Sequence, residues 1–183
     1  TLTGIRPVKM VQNYLNQGWS QIKIRKRFTE HYRVSNDRTE LLMQVAKKQA
    51  DFIPDKVLCE NQQRISLYVG IPLCPSKCDY CSFVSTIVDK KGENLQQYFD
   101  HLLVEIAKTG EILKTSSLLI DTLYIGGGTP TVLSVSQLDR LMSSLEESFD
   151  LSHLREYTLE AGRPETINQE KLEVAKVHGV ERI

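Results

Sequence analysis

The sequence predicts an α/β protein: a small helical module over residues 1–60, followed over 61–183 by strand–helix units whose repetition implies a parallel sheet with right-handed crossovers. Three observations predict it. Apolar residues recur at helical spacing in the N-terminal part, and from about residue 64 onward short strand-like runs alternate with longer amphipathic ones. Each glycine- or cysteine-bearing motif follows a strand directly, and the carboxyl ends of parallel strands are where such sheets place their ligand sites.

In the N-terminal module, Val8, Val11 and Leu15, then Ile22, Ile24, Phe28 and Tyr32, follow a near-helical rhythm broken at Asn16-Gln17-Gly18. Two short helices and a turn fit. Ser20 is placed to cap the second, and Ser35-Asn36-Asp37 to open a third that carries Leu41, Leu42, Val45, Ala46 and Ala50. The basic run Lys23-Ile24-Arg25-Lys26-Arg27 in a three-helix setting suggests a phosphate-binding face. Its charges keep helical periodicity and are balanced by Glu30, Asp37 and Glu40, so a solvated face is the preferred reading.

Strands are expected at Ile65 to Ile71, Leu118 to Ile125 and Arg155 to Glu160, and helices at Asn94 to Lys114, Ser134 to Phe149 and Thr166 to Val177. Ser134-x-x-Gln137 and Thr166-x-x-Gln169 both read as capping boxes, and Gly179 lies just past the end of the last helix. Val180 to Ile183 reads as the opening of a further strand. Together with a first residue that is not Met, this leads us to expect a piece of a longer protein.

At 40% hydrophobic and 25% charged residues, the 183-residue chain has the composition of a globular protein rather than a disordered one. A net charge of zero leaves no global electrostatic drive toward nucleic acid or an anionic membrane surface. No apolar run approaches about 18 residues and no signal peptide is visible, so a cytoplasmic, reducing location is expected.

Three of the four cysteines stand together as Cys74-x3-Cys78-x2-Cys81, right after the first strand. A loop leaving a strand can wrap around a cubane of iron and sulfide, with three thiolates each holding one iron and the fourth iron left open for a small chelating molecule. Other readings stand beside this one. A structural zinc site calls for a fourth ligand, yet Cys59 is far upstream and His101 falls in a helix. A disulfide needs an oxidising compartment. Inert core thiols fit poorly with Pro75, Lys77 and Asp79 between the cysteines.

The second motif is Gly126-Gly127-Gly128-Thr129-Pro130-Thr131 after a strand. Its glycines let the backbone approach a ligand and present N–H groups, while Thr129 and Thr131 add hydroxyls. It lacks the Gly-Lys-Ser/Thr of a phosphate loop and the spacing of a dinucleotide fingerprint. A tight strand-to-helix turn is the plain alternative.

Cys74-x3-Cys78-x2-Cys81, with Tyr80 before the last cysteine, resembles the signature of radical S-adenosylmethionine enzymes. Tyr68-x-x-Ile71-Pro72-Leu73-Cys74 followed by the glycine motif is similar to the oxygen-independent coproporphyrinogen III oxidase (dehydrogenase) group. Gly70, the Glu160-Ala161-Gly162-Arg163-Pro164 turn and the opening Thr3-Gly4-Ile5-Arg6-Pro7 resemble its HemZ-type branch. The resemblance implies the first half of a partial (β/α) TIM-like barrel, open enough for a tetrapyrrole.

It further implies that Cys74, Cys78 and Cys81 hold a [4Fe-4S] cluster whose open iron binds S-adenosylmethionine. Tyr68 and Tyr80 would lie near that cofactor, Gly127, Gly128 and Thr129 would line its backbone site, and Glu160 would bind one of its polar groups. A one-electron reductant such as flavodoxin or ferredoxin would drive cleavage to a 5′-deoxyadenosyl radical, which would take hydrogen from a propionate of coproporphyrinogen III on the way to a vinyl group in haem biosynthesis.

Two departures matter. The oxidases carry a further cysteine after the triad and a histidine where Gly70 stands, whereas here Ser82-Phe83 follows Cys81. The same absences mark relatives that act as haem chaperones or that open haem with a methyl transfer, so those activities are alternatives. A structural or electron-transfer iron–sulfur module is another, against which the glycine triplet and Glu160 weigh.

Overall fold

The computed structural model describes residues 6–50 and 63–183. The chain forms two compact units, Thr1–Glu60 and Asn61–Ile183. Cys59 and the opening Thr3-Gly4-Ile5 lie outside the described residues.

In the first unit, α1 (Pro7–Asn16) starts with a proline in its first turn, where the missing N–H costs nothing. α2 (Gln21–Lys26) is capped by the Ser20 hydroxyl, which accepts from the Lys23 N–H. It widens into one π-helical turn, Arg27–His31, that the apolar spacing did not signal. α3 (Asn36–Ala50) begins beside Ser35, whose Oγ accepts from the Arg38 N–H at 3.4 Å. Val11, Ile24, Phe28, Met43 and Ala46 form the small core. Much of the basic run is occupied within the module: Lys23 lies over the Trp19 ring, Arg25 pairs with Glu40, and Arg27 stacks on Tyr32.

The second unit is built on three parallel strands in the order β1-β4-β5: β1 (Arg64–Ile71), β4 (Leu119–Gly127) and β5 (Glu156–Leu159). Two two-residue strands, β2 (Leu73–Cys74) and β3 (Thr86–Ile87), form a separate short ladder. Helices α4 (Glu93–Lys114), α5 (Val135–Ser148) and α6 (Gln169–Val177) follow their strands and pack in sequence order, α4 on α5 and α5 on α6.

Strand alternation separates the two faces of this sheet. Val69, Ile71, Leu123, Ile125, Tyr157 and Leu159 are buried with Phe99, Ile106, Leu138 and Leu145 of the helices. The intervening positions Tyr68, Gly70, Tyr124, Gly126 and Glu160 belong to the opposite, more polar face, and this face carries the candidate chemistry.

At the amino-terminal end of the sheet, the buried Asp121 accepts from Arg64 Nη1 at 2.7 Å and Arg155 Nε at 2.8 Å, so one carboxylate ties β1, β4 and the start of β5. α5 opens with the expected capping box at Ser134 and Gln137. The box expected at Thr166 does not form. Thr166 closes a 3₁₀ turn, Pro164–Thr166, and Asn168 caps α6 by accepting from the Lys171 N–H, because the turn after β5 delays the helix start. Gly179 takes φ +79° past the helix end, and Arg182 makes a parallel bridge to Thr158 on the free edge of β5.

Candidate functional site

The cysteine loop is closed at its base. The Thr86 N–H donates to the Pro72 carbonyl at 2.8 Å and the Val88 N–H to the Cys74 carbonyl at 2.9 Å, so the chain from Cys74 to Ser85 leaves and returns through the β2–β3 ladder. Within it the Cys81 N–H bonds the Cys78 carbonyl at 3.0 Å, a turn that brings these two residues round. All three thiols are free and partly exposed, with no disulfide between them.

The glycine motif abuts this loop directly. Gly127 has φ +125°, and a Cβ there would stand 2.7 Å from the Ile71 carbonyl oxygen. A Cβ on Gly128 would stand 2.7 Å from Cys74 Sγ and 3.1 Å from the Leu73 carbonyl oxygen. Any side chain at either position collides with β1 or the cysteine loop, so glycine is what allows the two loops to touch. The Gly128 N–H reaches back to the Ile71 carbonyl at 2.8 Å.

Glu160, at the end of β5, is held at both carboxylate oxygens. Oε1 accepts from the Tyr124 hydroxyl at 2.6 Å and Oε2 from the Gly127 N–H at 3.1 Å. The hydrogen bond to Glu160, together with burial, pushes the Tyr124 hydroxyl up to about 12, so Tyr124 stays a donor over the working pH range. Tyr124 in turn stacks on Tyr68, with ring centroids 5.6 Å apart, as the Tyr68–Tyr124 register of β1 and β4 requires.

Cys74, Cys78, Cys81, Tyr80, Gly127, Gly128, Thr129 and Glu160 border one cleft of about 700 Å³ at the carboxyl ends of the strands. Eight of the nine residues singled out from the sequence therefore meet there. Tyr68 is not among the residues bordering the cleft; it is exposed, its ring stacks on Tyr124, and its hydroxyl lies 3.0 Å from where a Cβ on Gly126 would stand, beside Glu160. Among the described residues no three Cys, His, Asp or Glu side chains converge closely enough for a single metal ion, and His101 is on α4 away from this rim.

The hydroxyls of the two threonines have partners within the protein. Thr129 is fully buried and its hydroxyl donates to Cys74 Sγ at 3.3 Å. The Thr131 and Thr166 hydroxyls lie 2.6 Å apart and form a strut between two loops. Lys171 reinforces that strut by donating to the Thr131 and Thr166 carbonyls at 2.6 and 2.9 Å, and burial lowers its amine below the usual lysine range.

Two residues of the candidate site are assigned no chemical role by the sequence alone. Tyr124 lies two residues before the glycine motif, and period-2 alternation places it on the same face as Gly126. Arg163, in the turn after Glu160, reaches Cys78 Sγ at 3.0 Å, which no local pattern could disclose.

No protein-family model matches the chain. It is 35% identical over 183 residues, its whole length and 36% of the relative's, to the oxygen-independent coproporphyrinogen-III oxidase-like protein HemZ of Bacillus subtilis. It is 38% identical over 122 residues to the haem chaperone HemW of Lactococcus lactis, covering 67% of this chain and 30% of that one. The solved structure of the coproporphyrinogen III oxidase HemN of Escherichia coli, a radical SAM enzyme, aligns with a TM-score of 0.59 at 30% identity over 66% of this chain and 27% of that chain.

The fold is thus the α/β, partial TIM-like arrangement of a radical SAM protein. The chain belongs to the family that includes HemN and its relatives HemZ and HemW. It spans about a third of the length of the curated relatives it matches.

Proposed function

We propose that the protein is a radical SAM oxidoreductase that decarboxylates propionate side chains of coproporphyrinogen III in haem biosynthesis. One observation carries the reading: three free thiols, a glycine backbone edge and a clamped carboxylate border a single cleft on the polar face of the sheet. The donor set fits a thiolate-held cluster, because the three sulfurs come from one loop and Gly128 leaves no side chain between that loop and β4. Cys74, Cys78 and Cys81 would hold a [4Fe-4S] cluster and leave one iron open.

When bound, the cluster and S-adenosylmethionine supply the electron and the radical chemistry. The chain's own residues bind and orient. Glu160, fixed by Tyr124 and Gly127, presents an acceptor to a polar, positively charged ligand group. The backbone of Gly127 and Gly128 and the Tyr80 ring border the space for the remaining parts of the cofactor. The partner would be a tetrapyrrole, with a one-electron reductant such as flavodoxin or ferredoxin.

A second reading, a haem-binding chaperone, is favoured by one specific position. Gly70 replaces the histidine that the resemblance expects in an oxidase, and packing does not demand a glycine there: an added Cβ would meet only Tyr68 Cε1, at an ordinary 3.5 Å. Anaerobic incubation of the reconstituted protein with reductant, S-adenosylmethionine and coproporphyrinogen III, followed by product mass, separates the two. Loss of two carboxyl groups supports the oxidase. Unchanged porphyrinogen with stoichiometric haem binding supports the chaperone.

A further inference from the structure

The turn after Glu160 grips the cysteine loop through a single side chain. Arg163 Nη1 donates to the carbonyl oxygen and the Oγ of Ser76 at 3.1 and 2.7 Å, and Nη2 donates to Cys78 Sγ at 3.0 Å. Its Nε faces Glu165 Oε1 at 3.2 Å, and the side chain is only 18% exposed. A guanidinium is a rigid planar fork, so engaging three partners at once fixes where the N–H toward sulfur points.

The other thiol contact is of a different kind. Cys74 Sγ receives a neutral hydroxyl hydrogen bond from Thr129. Among the described residues, the hydrogen bond to Cys78 is the one that comes from a cation. Hydrogen bonds to cysteine sulfurs, and the charge of the donor, set the reduction potential of an iron–sulfur cluster, because reduction adds negative charge that such donors stabilise more than they stabilise the oxidised form. Glu165 offsets part of the long-range charge, but it is 57% exposed and solvent-screened, while the N–H to sulfur is a direct contact.

We infer that Arg163 is a positioning residue of the iron–sulfur site: through Ser76 it anchors the cysteine loop to the β5 turn, and through Cys78 it raises the reduction potential of the cluster. The inference rests on the reading of Cys74, Cys78 and Cys81 as cluster ligands. It adds a residue from a loop far along the chain to a site otherwise defined by the cysteine motif.

The test uses the anaerobically reconstituted protein and its Arg163→Met, Arg163→Lys and Ser76→Ala variants. Iron and sulfide per chain are measured first, and the cluster midpoint potential is then read from a redox titration followed by electron paramagnetic resonance. In Arg163→Met the ratio of reduced to oxidised cluster at a fixed potential should drop roughly tenfold, a midpoint about 59 mV more negative for one electron. Arg163→Lys should fall by less, since it keeps the charge and loses the fork. Ser76→Ala should keep the wild-type midpoint.

If Arg163→Met fails to retain a cluster, Arg163→Lys decides the matter by its midpoint. A wild-type midpoint in whichever Arg163 variant carries a full cluster overturns the inference. So does a shift in Ser76→Ala as large as that in the Arg163 variant, since loop restraint would then account for it. Absence of a cluster from the wild-type protein overturns the ligand reading itself, a result distinguishable from either.

Discussion

The Tyr124 hydroxyl donates to Glu160 Oε1 across 2.6 Å, while the other carboxylate oxygen takes the Gly127 N–H. Two donors of β4, a side-chain hydroxyl and a backbone N–H, thereby aim the carboxylate that follows β5 at the edge of the cleft. Glu160→Ala should weaken S-adenosylmethionine binding by roughly tenfold or more, the effect of losing a hydrogen bond to a charged group of about 1.5–3 kcal/mol. Tyr124→Phe leaves the carboxylate in place and loosens it, so a smaller loss of about 0.5–1.5 kcal/mol is expected. Cofactor titration by calorimetry checks both, with cluster content unchanged as the control; equal affinity in all three proteins would remove Glu160 from the site.

Gly128→Ala should impair the cysteine loop, because the added methyl group would sit 2.7 Å from Cys74 Sγ and 3.1 Å from backbone of the same loop. Gly162→Ala is the matched control: nothing lies within 4 Å of a Cβ there. Iron and sulfide content after reconstitution should fall several-fold in the first variant and stay at the wild-type level in the second.

Asp121→Asn should lower the stability of the second unit by about 1–3 kcal/mol, since a buried carboxylate shared by Arg155 and Arg64 is replaced by a neutral amide, and both arginines are in part solvated. Arg155, and after it Arg64, hold the Asp121 carboxyl below the usual aspartate range. Its contribution is therefore complete above the unfolded value of about 3.9 and is lost as pH falls through the lower native value. Urea unfolding at neutral pH should separate the two proteins, and the gap should close in strong acid.

His178 predicts a dependence of the opposite sign. Its ring is 8% exposed between Asp139 and Glu146 of α5, at 3.0 and 2.7 Å. Burial works against the charged ring, but the hydrogen bonds to Asp139 and Glu146 outweigh it and raise the imidazole above its ordinary value. The stabilisation is in full below about 6.5, the unfolded value, and fades as pH rises through the higher native one. With both carboxylates substantially exposed it should amount to no more than about 1 kcal/mol. His178→Gln should cost stability at about pH 6 and progressively less toward pH 9, as read by thermal unfolding at each pH.

Local signals carried much of the fold. Strands over Ile65 to Ile71 and Leu118 to Ile125, the long α4, the Ser134 capping box and the Ser20 cap were legible because period, cap chemistry and turn residues act within a few positions of each other. The failure at Thr166 has a physical reason of the same local kind: Pro164 starts a separate 3₁₀ turn, and Asn168 is a better-placed cap three residues before Lys171. The π turn at Arg27–His31 and the β2–β3 ladder had no such signal, since both depend on packing or pairing with residues elsewhere.

The sequence by itself determined which residues are the candidates for chemistry, because three thiols in one short loop, a glycine triplet after a strand and an acid at the next strand end are each defined by neighbours along the chain. Only the tertiary structure decided what those residues do to one another. Parallel register set Tyr68 against Tyr124 and Ile125 against Leu159, so that Glu160 comes next to Gly126, where the Tyr124 hydroxyl donates to it. The crossovers between strands brought Thr131 onto Thr166 and Arg163 onto Cys78, contacts between residues 35 and 85 positions apart. Hydrogen bonds act over about 3 Å of space and are indifferent to distance along the chain, so no spacing rule in the sequence could have supplied them.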